Sequence, residues 1–356
     1  MTPAAELRRA DHERLEKLTA SLFARHGLAE ADANIIARCL IRADLRGVGT
    51  HGISRLPIYL ERLKRGLINA ASELELSEPS AVCALLDGDN GFGFIAATRA
   101  MDQAIARADQ FGIGMVGVKR SNHFGMAACY LLQAIDAGYV ALVLTNASAT
   151  MPVWGGREPF LGTSPFAFGA PGNPPIVLDM ATSVVARGKI RVAAAKGEPI
   201  PQGWALDADG NPTTDAQAGY DGTILPLGGP KGSGLSLMME IIAGVMTGAA
   251  FGGQVRNQYD SFEGEPDVGH TMIALKPGVF VGNDYALRIA ELVARAKAST
   301  PVDPAQPILM PGEPEAMREA DRRLNGIPLS ISDIDMLVTQ AKANGLSEAK
   351  VLETLI

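Results

Sequence analysis

The sequence predicts an α+β (mixed α/β) chain, and three observations predict it. The first 65 residues carry apolar spacing of helical period only. From Ala81 onward, short apolar runs of strand length alternate with helical stretches. Five prolines between Pro301 and Pro314 then mark an extended crossing that leads to two more short helices. The expected division is a helical domain made of residues 1–75 together with 305–356, closed over a central α+β domain of 76–304.

Taken in order, residues 11–25 read as a helix with Leu15, Leu18, Leu22 and Phe23 on one face, stopped by Gly27. Residues 32–45 form the second, with Ile35, Ile36, Cys39, Leu40 and Ala43 inward. A third runs from Leu56 to Arg65, ending in Lys64, Arg65 and Gly66, a C-terminal signature. The polar segment Ala71 to Ser80 marks the domain boundary. Strands follow at Ala81–Leu86, Ile113–Val118, Tyr139–Thr145, Phe166–Ala170, Ile176–Asp179 and His270–Val281. Between them, a helix follows Gly93, Arg187–Gly197 is helix or extended connection, and Gln202–Ala218 is rich in turn residues. Leu235–Met246 and Asp284–Ala298 are helices. Ser332–Ala343 and the segment from Ser347 close the chain, each opening on a serine that can cap.

Composition narrows the function classes. The 356 residues are 47% hydrophobic and 20% charged, enough for a large core and for two domains, with three as the alternative. A net charge of −7 with no basic run argues against nucleic acid. No stretch approaches 18 uninterrupted apolar residues, and the start lacks the apolar centre of a signal peptide. Cys39, Cys83 and Cys129 form neither a CxxC pair nor a zinc spacing, so they are read as reduced, mostly buried thiols of a cytoplasmic protein, with no metal expected.

The stretch Thr50-His51-Gly52-Ile53-Ser54-Arg55 is the candidate for chemistry. A histidine at a helix mouth sits where the helix dipole favours its neutral ring. If the third helix starts by His51, then His51 and Arg55 share a face about 5–6 Å apart. That spacing suits a small 2-oxo or 2-hydroxy acid, with Arg55 clamping the carboxylate and His51 facing the adjacent carbonyl or hydroxyl. The alternative is a surface pair in a helix–helix turn. Of the other histidines, His12 and His26 are read as solvated and His270 as structural, while His123 sits in a glycine-flanked loop suited to a cleft.

Two glycine-rich segments carry weaker signals. Gly91-Phe92-Gly93-Phe94-Ile95-Ala96 fits a G-x-G-x-x-A pattern, but no strand with a terminal acid follows about 20 residues on, so it is read as a glycine entry to a packed helix. GGPKGSG (Gly228 to Gly234) is expected to leave backbone N–H groups free beside Lys231, an anion site, although it is not a P-loop. The alternative is glycine for tight packing. A metal-dependent hydrolase built on His51, His123 and an aspartate lacks the H-E-x-x-H spacing. A nucleotide-binding protein without catalysis stays open at this level.

The stretches ADLRGVGTHGISRLPIYLERLKRG, SNHFGMAACY, GGREPFLGTSPFAF, VLDMATS, GWALDADGNPTTD and LGGPKGSGLSLMMEI together resemble the malate/L-lactate dehydrogenase family of non-Rossmann NAD(P)-dependent oxidoreductases. The resemblance runs from about residue 11 to the C-terminus. It implies that family's fold, with a helical domain from both termini and a central mixed-sheet cofactor domain, as a homodimer. It implies hydride transfer between NAD, with NADP as the alternative, and a small 2-oxo/2-hydroxy carboxylic acid. His51 then resembles the proton donor, Arg55 the carboxylate ligand, Thr50 an orienting residue where many members have serine, and His123 a second histidine at the nicotinamide. Asn146, Thr163, Asp179, Met180, Ala181, Lys231 and Gly232 resemble cofactor-pocket residues. Gly312 and Glu313 fall where the family's C-terminal crossing reaches the cofactor. Family members that reduce cyclic imino acids carry an aspartate after DMATS. This chain has Arg187-Gly188-Lys189 there, which favours a 2-hydroxy acid, puts Arg187 on the substrate side and leaves the imine reductase as the alternative.

Overall fold

The N-terminal helices form where the apolar spacing places them. In the computed structural model, which describes residues 7–356, strand β1 (Arg8–Ala10) leads into α1 (His12–Ala24). Residues 1–6, the start of the expected helical domain and of the segment read for a signal peptide, lie outside the described residues. Asp11 caps α1 by accepting the Arg14 N–H at 2.9 Å, satisfying one of the donors a helix start leaves open. Helix α1 buries Leu15, Leu18, Leu22 and Phe23, and α2 (Glu30–Leu45) buries Ile35, Ile36, Cys39, Leu40 and Ala43. One further residue on the inward face of α2 is an acid, Asp44. Helix α3 (Leu56–Lys64) has a proline in its first turn, where the missing N–H costs nothing.

The central elements follow in order: β2 (Glu75–Ser77), β3 (Cys83–Asp87), α4 (Gly93–Phe111), β4 (Ile113–Ser121), α5 (Ala128–Asp136), β5 (Val140–Thr145), β6 (Phe166–Ala170) and β7 (Ile176–Met180). Next come α6 (Arg187–Lys196), β8 (Ala205–Leu206), β9 (Pro212–Thr213), α7 (Ala216–Asp221), β10 (Thr223–Ile224), α8 (Pro230–Met239) and β11 (Val268–Leu275). The chain closes with α9 (Tyr285–Lys297), α10 (Glu313–Asn325), β12 (Ile327–Leu329), α11 (Ile331–Ala343) and α12 (Glu348–Leu352).

Seven strands form one mixed sheet in the order β2-β3-β4-β11-β5-β6-β7. Only β3 and β4 run parallel, joined by the α4 crossover; every other pairing in the sheet is antiparallel. The fold is therefore the mixed α/β class expected. Gly93 enters α4 directly beneath the Asn122 carbonyl, leaving no room for a Cβ, so this glycine serves close packing. The last residues return to the first: β1 pairs antiparallel with β12, and the Ile356 N–H donates to the Arg9 carbonyl at 2.9 Å. One core runs from α1 and α2 through the sheet to Leu337, Ala341 and Val351.

Four elements differ from expectation. The polar segment 313–325 is a helix, α10, with no buried residue; it is held against α2 by Arg46 and Glu319 at 3.1 Å. Residues between Met151 and Ile224 build a second small core of their own, containing Val185, Ile190, Ile200 and Ala205, around strands only two residues long. Strand β11 ends at Leu275, because Pro277 begins a 3-10 turn. Helix α11 starts at Ile331 with its cap at Ser330, two residues before Ser332: Ser330 and Asp333 form a capping box, each accepting the other's main-chain N–H. The three cysteines are free, with Cys39 and Cys129 buried. No helix among the described residues is long and apolar enough to cross a membrane.

Candidate active site

His51 does not open a helix. Two successive 3-10 turns, Gly49–His51 and Ile53–Arg55, precede α3, so the expected four-residue helical spacing from His51 to Arg55 is replaced by a folded double turn. The reason lies in its hydrogen bonds. The His51 N–H donates to Val48, the Arg55 N–H to Gly52, and the Ser54 hydroxyl to the Gly49 carbonyl at 2.6 Å. Arg55 Nε donates to the Thr50 carbonyl at 2.5 Å, which leaves the two terminal nitrogens of its fork for a ligand. The guanidinium lies 4.9 Å from the centre of the Tyr259 ring, a cation–π contact from the segment before β11.

The structure brings His51 and His123 together, with ring centroids 5.7 Å apart and planes 17° from parallel. Burial, and then the nearby Arg55 charge, lower the His51 pKa to about 4, so its ring is neutral at pH 7. Thr50 Oγ1 lies 3.1 Å from His51 Nδ1. His123 is pushed well below its ordinary value by burial and by the charges of His51 and Arg55. Its tautomer follows from its partners. The Gly125 N–H can only donate, and it points at His123 Nδ1 at 3.2 Å. Nδ1 therefore holds a lone pair and the ring proton sits on Nε2. Tyr59 Oη, 2.6 Å from the same Nδ1, donates to it; burial raises its pKa and keeps that hydroxyl protonated.

Tyr59 went unforeseen in the sequence, although it stands four residues after Arg55 on α3, the spacing that puts two side chains on one helix face. His270 is buried in β11, stacked 4.6 Å from Phe124, with Nε2 donating to the Asn122 carbonyl at 3.2 Å. It thus anchors the strand end that carries His123. Its pKa is lowered by burial to about 3.

A second cluster gathers most of the expected cofactor residues. The Thr182 N–H donates to the Thr163 carbonyl at 3.0 Å, Leu227 N–H to the Thr182 carbonyl at 2.8 Å, and Gly232 N–H to the Leu227 carbonyl at 2.7 Å. Asp179, Met180 and Ala181 lead directly into this knot, with the Asp179 carboxylate accepting the Ala128 N–H at the start of α5. A Cβ on Gly232 would stand 2.7 Å from the Thr182 carbonyl, so the loop can approach only as glycine. The crossing joins at β7: the Val177 N–H donates to the Pro311 carbonyl at 2.9 Å, and a Cβ on Gly312 would lie 2.6 Å from that of Val177.

Four of the expected positions stand in surroundings that the sequence did not indicate. The N–H groups after the GGPKGSG glycines are not free; those of Gly232 and Ser233 bond back to Leu227 and Gly229, and the exposed Lys231 side chain is what remains for an anion. Asn146 is buried, its side chain bonded to the Ala250 carbonyl (2.6 Å) and the Gly269 N–H (2.9 Å), which ties the loop at Ala250 to the start of β11. Arg187 stacks 4.7 Å from the Tyr220 ring and donates to the Tyr220 carbonyl; the cation of α6 close enough to Arg55 to depress its pKa is Arg191, one turn on. Glu313 is paired with Lys297 and accepts the Met310 N–H at 2.7 Å. No group of three or more His, Cys, Asp and Glu side chains that could hold a metal occurs among the described residues.

The family model described as malate/L-lactate dehydrogenase matches residues 10–338. The chain belongs to the malate/L-lactate dehydrogenase family. It is 40% identical over 315 residues to an L-sulfolactate dehydrogenase of Methanothermobacter thermautotrophicus, covering 88% of this chain and 90% of that one. It is 33% identical over 341 residues to an NAD(+) ureidoglycolate dehydrogenase of Escherichia coli, covering 95% and 97%. The solved sulfolactate dehydrogenase from Methanocaldococcus jannaschii superposes with a TM-score of 0.88 at 35% identity, over 97% of this chain and 99% of that one. As a member of the malate/L-lactate dehydrogenase family the chain is an oxidoreductase, and its fold is that family's.

Proposed function

We propose that the protein oxidises a small 2-hydroxy acid to the 2-oxo acid, and catalyses the reverse reduction, with a nicotinamide cofactor. The observation that carries this is the neutral His51 ring stacked on His123 beside an arginine whose fork is open. The cofactor fits the second cluster: the Thr163, Asp179–Ala181 and Gly232 backbone forms a glycine-dependent cradle, with the exposed Lys231 cation to meet a pyrophosphate. When bound, its nicotinamide supplies the hydride acceptor for the alcohol.

The protein's own residues then do three things. Arg55 fixes the carboxylate through its two terminal nitrogens. His123, with Nδ1 filled by two donors, can only donate from Nε2, so it holds the substrate oxygen. His51 takes the hydroxyl proton during oxidation and returns it during reduction. Arg191 adds positive potential beside Arg55, which favours a substrate with a second anionic group. NAD is preferred over NADP: Arg318, which lies in the segment after the crossing, is paired with Glu315 at 2.9 Å and so is not a bare cation for a 2′-phosphate. In the same scheme residues 1–75 with 305–356 act as one unit and 76–304 as the other, supported by the β1–β12 pairing, so that His51 and His123 come from opposite sides of the junction.

Following NADH and NADPH absorbance with monoanionic and dianionic 2-oxo acids and with cyclic imino acids tests all of this together. NADH oxidation with a 2-oxo acid, best with a dianion, is expected. Turnover confined to cyclic imines would establish the alternative, and a tenfold preference for NADPH, about 1.4 kcal/mol, would overturn the cofactor assignment. A homodimer is also expected, supported by Leu237, Ile241 and Val245 exposed at four-residue spacing along α8 and the π-helical turn that extends it. A fully active monomer by light scattering at micromolar concentration would count against it.

A further inference from the structure

We propose that Asp44 is a positioning residue for this active site: its buried carboxylate is the mould on which the double turn of residues 49–55 is folded, and so sets where His51 and Arg55 stand. The proposal rests on the role given above to those two residues. Asp44 Oδ2 accepts the N–H of Ile53, the first residue of the second 3-10 turn, at 2.8 Å. Its carboxylate also fills the space where a Cβ on Gly52 would stand. Gly52 has φ −94°, outside the left-handed range that favours glycine, and it is the missing Cβ that leaves room for the Asp44 carboxylate. A Cβ on Gly49 would touch the same carboxylate at 3.6 Å. The turn therefore closes around Asp44 from both sides.

Asp44 is itself held from behind. Its main-chain carbonyl accepts a guanidinium N–H of Arg322 from α10, and Asp333 of α11 lies close enough to add its charge. The helices of the C-terminal segment thus reach the catalytic turn through this residue. Asp44 makes no direct ion pair among the described residues, and burial raises its carboxyl to about 7. An acid buried in that way costs stability, and an apolar residue of similar size would pack α2 at lower cost. What the carboxylate supplies is an acceptor oxygen at a fixed point under the turn, which no apolar side chain provides.

Three variants test this: Asp44→Ala, Asp44→Asn and Gly52→Ala. Asparagine keeps an acceptor oxygen; alanine removes it; the Gly52 methyl displaces it. In Asp44→Ala, loss of the buried hydrogen bond to the turn should speed hydrogen exchange at the Ile53 amide and raise KM for the 2-oxo acid, each by about tenfold. NADH affinity, read by fluorescence, should stay within about twofold, because among the described residues no hydrogen bond joins the Thr163–Thr182–Leu227–Gly232 cluster to the turn. Asp44→Asn should restore both readings to within about threefold. Gly52→Ala should reproduce Asp44→Ala, and the double variant should be no worse than either single one, since both act on one contact. If Asp44→Ala does not fold, Gly52→Ala and Asp44→Asn carry the comparison. Wild-type exchange and KM in Asp44→Ala would overturn the proposal. So would Asp44→Asn as damaged as Asp44→Ala, or an equal loss of NADH affinity, which marks a general structural role. A wild-type protein inactive on every 2-oxo acid would sink the proposed function and leave the Ile53 exchange result standing.

Discussion

Replacing His51 by alanine lowers kcat by about 10²–10⁴-fold, the usual contribution of a positioned acid–base group, and leaves cofactor affinity nearly unchanged. The assignment follows from the hydrogen bonds of the pair. His123 Nδ1 is occupied by Tyr59 and the Gly125 N–H, so that ring cannot add a second proton without losing both donors. Among the described residues the His51 ring has only the Thr50 hydroxyl as a hydrogen-bond partner, which can turn and either give or accept. The pH profile carries a sharper signature. In the free protein His51 titrates at about 4, lowered by burial and by Arg55, so kcat/KM for oxidation falls only in acid well below neutrality. A substrate carboxylate on Arg55 cancels the repulsion that holds the imidazolium off. The acidic limb of kcat, which reports the bound state, should therefore lie at higher pH than that of kcat/KM. If His51→Ala keeps near-normal turnover while His123→Ala abolishes it, the two roles are reversed.

Arg55→Lys raises KM for the 2-oxo acid by about 10- to 100-fold, the worth of a charge-assisted hydrogen bond, with a smaller effect on kcat. The guanidinium is fixed at three points: Nε on the Thr50 carbonyl, the flat face on Tyr259, and the two remaining nitrogens outward. An ammonium keeps the charge and therefore the low His51 pKa, but has neither the fork nor the flat face. Steady-state kinetics separate the two effects. An unchanged KM would show that the carboxylate binds elsewhere, with Arg191 the first place to look.

The helices with an apolar stripe were legible in the sequence because periodicity reports burial, and α1 and α2 bury the residues it marks. Helix α10 was not, since EPEAMREADRRLN has no buried side chain; it stands on ion pairs to α2 and on the left-handed Gly312 that starts it. Strands β8, β9 and β10 are two residues long and carry no alternation to detect. At the site, the motif pointed to His51, Arg55 and His123. Their arrangement was hidden because it depends on partners far along the chain or on the wrong side of a helix: Tyr59 fixes a tautomer, Asp44 shapes a turn, and Tyr259 covers an arginine 204 positions earlier. Two of these left a trace: Tyr59 by its four-residue spacing from Arg55, and Asp44 as a charge at a position the helical period marks as buried.

The sheet order has a consequence in time. Strand β11 lies between β4 and β5, yet it is encoded after both, and more than a hundred residues separate it from the nearer of them. During synthesis at about 5–20 residues per second, β4 and β5 each present an open edge on the order of ten seconds before the strand that joins them exists. The middle of the sheet is thus the last part of it to be made, and until then the nascent chain carries two exposed edges that any other strand could pair with.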